Sequence, residues 1–285
     1  MEVIGTVNLP EEHPTHRVSR RRRHARGAEA ELPVQRESTL IVYINDIPTM
    51  QIVCSPNHLV ELVCGRLFTE RLTLGLDEID ALSICESSLR ADVYLKDRDA
   101  DLSRKAVLTV PTCCTNNRTL NDYFDTGEGL HSVHPASWVD EWIYRIAETF
   151  ELDRTSHGIT RGSHSAYLAD ETGVLNIHED IGRHNAFDKA IGSALIDGID
   201  LNRCLMFTSG RVPTDMMAKA VRAGLPLLVS KTVATDQAID MAREFGLTLI
   251  CNATSESFDV VCAPNDSPRH EGALDLQIEY PVRRS

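Results

Sequence analysis

The chain has 285 residues, 42% of them hydrophobic, and a formal net charge of −13, enough apolar material for one large core or two smaller ones. The acidic balance excludes nucleic acid as a principal partner, because phosphate backbones call for clustered Lys and Arg. No apolar run approaches the roughly 20 residues of a membrane helix, and no apolar segment follows the basic stretch Arg17–Arg26, so neither membrane span nor secretion signal is expected.

Residues 1–37 hold His13, Pro14, the Arg20–Arg23 run and the small, charged stretch Gly27–Glu31, which together predict a flexible basic arm. From Ser38 the texture changes, and residues 38–110 read as a small α+β domain. Thr39–Asn45 and Met50–Cys54 are β-rich and joined by Asp46-Ile47-Pro48, a hairpin signal. Pro56-Asn57-His58 then opens a helix with Leu59, Leu62, Val63 and Leu67 on one face. Ala81–Cys85 and Ala91–Lys96 read as two further strands.

Residues 111–134 are expected to be a mobile loop carrying the adjacent Cys113 and Cys114. A larger α/β domain spans 135–262. It opens with a helix over 138–150 and a Gly-punctuated segment, His157–Leu168, running into a strand. From Val174 strands and helices alternate: strand 174–178, helix 184–196, strand 204–208, helix 214–223, strand 226–230, helix 235–245 closed by Gly246, and strand 247–251. Such alternation means βαβ units, and parallel strands would bring their polar joints to one sheet edge. Residues 263–285 form a polar tail with Pro264 and Pro268.

The chemistry-bearing residues gather at those joints. Asn176–Gly192 packs Glu179, Asp180, Arg183, His184, Asn185, Asp188 and Lys189 where a strand ends and a helix begins. Free helix N–H groups and the helix dipole favour anions there. Ser209-Gly210-Arg211 and Ser230-Lys231-Thr232 occupy the next two joints. Arg183, His184, Arg211, Lys219 and Lys231 converge as cations, which points to a phosphate-bearing ligand; salt bridging to Glu179, Asp180, Asp188 and Asp215 is the competing account. His164 lies in Arg161-Gly162-Ser163-His164, where glycine permits close approach by a ligand. The Cys113–Cys114 pair, in a polar loop after Pro111, favours a reactive thiol over a core role. His178-Glu179-Asp180 invites comparison with zinc deaminases, but no P-C-x-x-C follows, so no zinc is expected; the G-x-S-x-G elbow is absent too.

EDIGRHNAFDKAIG (179–192), TRGSHSA (160–166), SGRVPTDMMAK (209–219) and AGLPLLVSKTVAT (223–235) together resemble the formate dehydrogenase accessory sulfurtransferase family, FdhD-type. The resemblance reaches back through SPNHLVELVCGRLFTE (55–70). It implies a cytidine-deaminase-like α/β domain without zinc, a smaller α+β N-terminal domain, and a cytoplasmic homodimer. The implied activity is relay of sulfur from a cysteine desulfurase to the molybdenum cofactor, as bis-molybdopterin guanine dinucleotide, for formate dehydrogenase. A loop cysteine, Cys113 or Cys114, would carry a persulfide. His164, Glu179, Asp180, Arg183, His184, Asn185, Ser209, Gly210, Arg211, Lys231 and Thr232 would hold the cofactor. A carrier that binds the cofactor without moving sulfur is the alternative.

Three departures stand out. The family's C-G-x-C loop reads Thr112-Cys113-Cys114-Thr115-Asn116-Asn117, so either Asn116 replaces the second cysteine or Pro111 the first. Its G-G-x-H becomes Arg161-Gly162-Ser163-His164, and its later G-F-x-R becomes Cys251-Asn252-Ala253-Thr254.

Overall fold

The computed structural model describes residues 1–4, 14–23, 25–85, 89–97, 108–110, 129–153, 160 and 162–264. In the N-terminal unit, residues expected to alternate do so. Strand β4 (Ser38–Ile44) buries Leu40, Val42 and Ile44, and β5 (Ile47–Cys54) buries Met50, Ile52 and Cys54 on the same face. They form one sheet with β1 (Glu2–Ile4), β6 (Ile79–Cys85), β7 (Arg90–Leu95) and β8 (Leu108–Val110), in the order β1-β6-β7-β4-β5-β8. Helix α1 (Leu59–Thr69) covers that sheet with Leu59, Leu62, Val63 and Leu67.

The basic arm is a correction. Glu2–Ile4 pairs in parallel with β6, while β2 (Thr15–Arg22) and β3 (Ala25–Pro33) make an antiparallel ribbon of their own. Charge concealed the strands: six arginines mask the alternation of Val18, Ala28, Ala30 and Leu32 on one face.

The second sheet has the order β10-β9-β11-β12-β13-β14, from β9 (His164–Asp170), β10 (Gly173–Asp180), β11 (Leu205–Thr208), β12 (Leu227–Ser230), β13 (Thr248–Cys251) and β14 (Asp259–Cys262). β11, β12 and β13 are parallel, and every residue of these three is buried, as strands covered on both faces require. Helices α3 (Arg183–Asp197), α4 (Thr214–Arg222) and α5 (Asp236–Phe245) pack one face through Phe187, Ala190, Met216, Met217, Met241 and Phe245. Helix α2 (Asp140–Leu152) packs the other through Ile143, Ile146 and Ala147 against Tyr167, Phe207 and Val229. The expected βαβ series is present, and Gly246 at φ 72° ends α5.

Two features differ from the sequence reading. β9 runs antiparallel between β10 and β11, and β14 adds an antiparallel edge after the last parallel strand. Part of the expected mobile loop is packed as well: Leu130 and Val133 belong to the core, and the Val133 N–H donates to the Phe245 carbonyl.

The two units meet where α1 crosses α3. A Cβ built on Gly65 would stand 1.8 Å from the Asp188 carbonyl oxygen, and one on Gly192 would stand 1.8 Å from that of Glu61. Only glycine lets the backbones approach so closely. Beside the crossing, Lys219 Nζ lies 2.6 Å from Asp188 Oδ2, Arg66 3.3 Å from the same oxygen, and Thr69 Oγ1 donates to Asp188 Oδ1 at 2.8 Å. Buried charges persist only when paired in this way.

Candidate functional site on the sheet rim

Register decides which joints meet. β10 and β11 both run antiparallel to β9, so they point the same way, and the ends of β10, β11 and β12 share one edge with the start of β9. Asp180 pairs with His164, Glu179 with Ser165, and Thr208 with both Ala166 and Ser230. The three polar joints read from the sequence therefore converge.

The rim is cross-linked through serine. The Ser165 N–H donates to Ser209 Oγ at 2.9 Å, the Ser209 N–H donates back to the Ser165 carbonyl at 3.0 Å, and Ser165 Oγ donates to Glu179 Oε1 at 3.1 Å. Ser209 Oγ also stands 3.4 Å from His164 Nδ1. Ser230 Oγ donates to the Gly210 carbonyl at 2.9 Å and accepts from the Thr232 N–H at 3.0 Å. These bonds fix the loops after β11 and β12 to each other and to β9.

Gly210 brings cation and imidazole together. A Cβ there would stand 2.9 Å from Arg183 Cδ and 3.0 Å from Arg183 Cβ, so Arg183 closes tightly over the glycine, with His164 Nδ1 in ordinary contact at 3.4 Å. Arg183 is half-buried, and its buried Nε finds no partner among the described residues. Arg211 is exposed on the same loop. Lys231 is half-buried and paired with Glu151 Oε1 at 2.8 Å, which draws that carboxyl below its usual range.

Asp180 and Asn185 are placed elsewhere. Asp180 is fully buried and accepts from the N–H groups of Ser55 and Gly182 and from Asn185 Nδ2, with Lys189 Nζ at 2.7 Å. Asn185 Nδ2 also donates to the Val53 carbonyl at 2.8 Å. These two are corrected as direct contacts: saturated by internal partners, they clamp the β10–α3 joint onto the loop after β5. His184 is likewise interior, 2% exposed, with Nε2 at 3.1 Å from Asp215 Oδ2. Burial holds its imidazole toward the neutral form, against the opposing pull of Asp215. Salt bridging thus accounts for Lys219 and Lys231, and burial against Asp215 accounts for His184, while Arg183 and Arg211 keep donors to offer at the rim. Lys189, one of the charged residues of Asn176–Gly192, is the centre of the clamp through its bonds to Asn57, Ser55 and Asp180.

Thiol environments differ sharply. Burial pushes Cys54, Cys64 and Cys204 up to about 12 and Cys251 to about 11, so these four are protonated at neutral pH. Among the described residues, Cys85 is the exposed thiol. Cys113, Cys114 and Arg161 lie outside the described residues.

With this geometry established, comparison with known proteins is decisive. Residues 35–266 match the FdhD/NarQ family profile. The chain belongs to the FdhD/NarQ family. A sulfur carrier protein FdhD of Listeria innocua is 33% identical over 228 residues, 78% of this chain and 86% of its own. That of Bacillus subtilis strain 168 is 30% identical, over 80% of this chain and 87% of its own. A crystal structure from Desulfotalea psychrophila, described as a formate dehydrogenase accessory protein, covers 89% of this chain and 98% of its own, with a TM-score of 0.72 at 23% identity. Against that structure the likeness is one of fold. The FdhD/NarQ match takes in all three rim joints and both cysteines, but it begins after the β2–β3 ribbon.

Proposed function

We propose that this protein is a sulfurtransferase that takes sulfane sulfur from a cysteine desulfurase as a persulfide on Cys113 or Cys114. It delivers that sulfur to the molybdenum cofactor, bis-molybdopterin guanine dinucleotide, during formate dehydrogenase maturation. The reading includes a cytoplasmic homodimer and a cytidine-deaminase-like topology for the larger unit. The observation that carries it is the closing of Arg183 over Gly210 beside His164 on a rim laced by Ser165, Ser209 and Ser230, in a chain whose family relatives are sulfur carrier proteins.

The chemistry follows from the groups. A thiolate attacks the outer sulfur of the donor's persulfide; the donor's S–S bond breaks as a new one forms, and the donor cysteine leaves as thiolate with no net change in oxidation state. Cys54, Cys64, Cys204 and Cys251 are poor candidates, since their thiols stay protonated. The cofactor is the cargo, and its pyrophosphates suit the donors that Arg183 and Arg211 present. Ser209, Gly210, Lys231 and Thr232 border the same cradle, with Glu179 orienting Ser165. Asp180, His184 and Asn185 act through the positions they impose on Arg183.

Incubation with a desulfurase and cysteine, followed by mass spectrometry of the intact chain, tests the reading. Wild type and Cys85→Ser should gain the mass of a sulfur atom, and Cys113→Ala/Cys114→Ala should not. Equal uptake by the double variant would refute the assignment. Loss of uptake in Cys85→Ser alone would move the role to Cys85.

A further inference from the structure

The β2–β3 ribbon precedes the family match and, among the described residues, forms a separate two-stranded sheet. Six arginines against two glutamates give residues 14–35 a formal charge of +4, leaving −17 for the rest of the chain. Its register sorts the side chains. Arg17 opposes Glu31 and Ser19 opposes Glu29 on one face; His16, Val18 and Arg20 oppose Leu32, Ala30 and Ala28 on the other. Where the register shifts between Arg20 and Arg22, Arg21 alone stands opposite two residues of β3, Arg26 and Gly27. Arg17, Arg20, Arg21 and Arg23 are exposed, and Leu32 is 42% exposed. An isolated hairpin is marginally stable in water, and among the described residues neither long edge pairs with a further strand.

The ribbon is rooted at the functional rim. Its base closes where the Val34 N–H donates to the Pro14 carbonyl, and Gln35 Nε2 then donates to Thr160 Oγ1 at 2.7 Å. A Cβ on Gly162 would stand 3.1 Å from Gln35 Cγ, two residues before His164.

We infer that the β2–β3 ribbon is a docking arm for an acidic surface of the cysteine desulfurase, holding that protein beside the rim while sulfur is passed. The inference rests on the proposed function. Its donor sulfur is bound to another protein, so each transfer needs a protein–protein approach. Charge complementarity steers such an encounter, and an arginine ribbon on an otherwise acidic body supplies the local sign the body lacks. In the proposed function the sulfur donor is itself a protein, which makes a protein the fitting occupant.

The test uses the full chain and a purified desulfurase from the same organism. Binding is measured by titration calorimetry at low and high salt, for wild type, the Arg17→Ser/Arg20→Ser/Arg21→Ser/Arg23→Ser variant and the corresponding four-lysine variant. The serine variant should bind roughly tenfold or more weakly at low salt, with the gap closing as salt screens the charges. The lysine variant should bind near wild type. Sulfur uptake from a low-molecular-weight persulfide should be the same in all three. Equal affinity of wild type and serine variant overturns the docking arm. So does a serine variant that loses only self-association in sedimentation, or only affinity for formate dehydrogenase or a DNA duplex. Failure of every protein to take sulfur from either donor would refute the proposed function instead, and the binding comparison would still decide the arm.

Discussion

Replacing Gly192 with alanine sets two effects of opposite sign against each other. In an ordinary helix interior the change stabilises by about 1 kcal/mol, because alanine loses less backbone entropy on folding. Here the new Cβ would sit 1.8 Å from the Glu61 carbonyl oxygen and 2.8 Å from the Gly65 nitrogen, both backbone atoms of α1 that no rotamer change can move. Relief requires α1 to withdraw by more than an ångström, and overpacking of this kind costs about 1–3 kcal/mol. Withdrawal also pulls Arg66 and Thr69 from Asp188, loosening a buried charge set whose disruption costs about 3–5 kcal/mol when complete. The net expectation is a loss of about 3 kcal/mol, a substantial part of the roughly 5–15 kcal/mol of a typical domain. Urea unfolding of wild type and Gly192→Ala measures it directly. Equal or greater stability of the variant would refute the close crossing of α1 and α3.

Three further outcomes follow from the same contacts. Lys219→Met leaves Asp188 in a fully buried site with Arg66 as its remaining counter-charge among the described residues and should destabilise by about 3 kcal/mol in urea; a loss under about 1 kcal/mol would contradict the pairing. Burial, aided by the neighbouring His58, lowers His178 from 6.5 to about 3, so the unfolded chain binds the proton first as pH falls. That contribution is intact above pH 6.5 and is lost between 6.5 and 3 at about 1.4 kcal/mol per unit; His178→Asn should flatten this part of the stability–pH curve, and an unchanged acid limb would contradict it. Gly210→Ala should spread Arg183 from His164 and weaken guanosine diphosphate binding about tenfold or more with stability held within about 1 kcal/mol, whereas unaltered affinity would remove the rim from the binding account.

Much of the larger unit was legible because its signals are local. Apolar periodicity in Ala186–Leu195 and the run Leu227–Ser230 reflect helix and buried-strand packing directly, and Gly246 marks a cap. Convergence of the joints followed from strand direction alone. What could not be read depends on distant partners. Nothing in the sequence near Asp180 says that its acceptors are filled by Ser55, 125 residues away. Nor does the run at Lys219 show that its charge is spent on Asp188 and Thr69 inside the molecule. A buried cation and a ligand-facing one look alike in sequence, and burial separates them. β9 was seen as a strand, but its antiparallel insertion between β10 and β11 is a long-range choice. The ribbon was hidden by composition, because an arginine run resembles a solvated tail until its cross-strand partners are known.

The central claim is that sulfur rests on the Cys113–Cys114 segment on its way to a cofactor held at the rim. A pulse of labelled sulfur from desulfurase and cysteine, chased with bis-molybdopterin guanine dinucleotide and followed by peptide mapping, tests it most directly. The account predicts label on a peptide containing Cys113 and Cys114, transfer of that label to the cofactor in wild type, and retention on the chain when Arg183 and Arg211 are both changed to alanine. Label found elsewhere on the chain, or label that never passes to the cofactor, would contradict it.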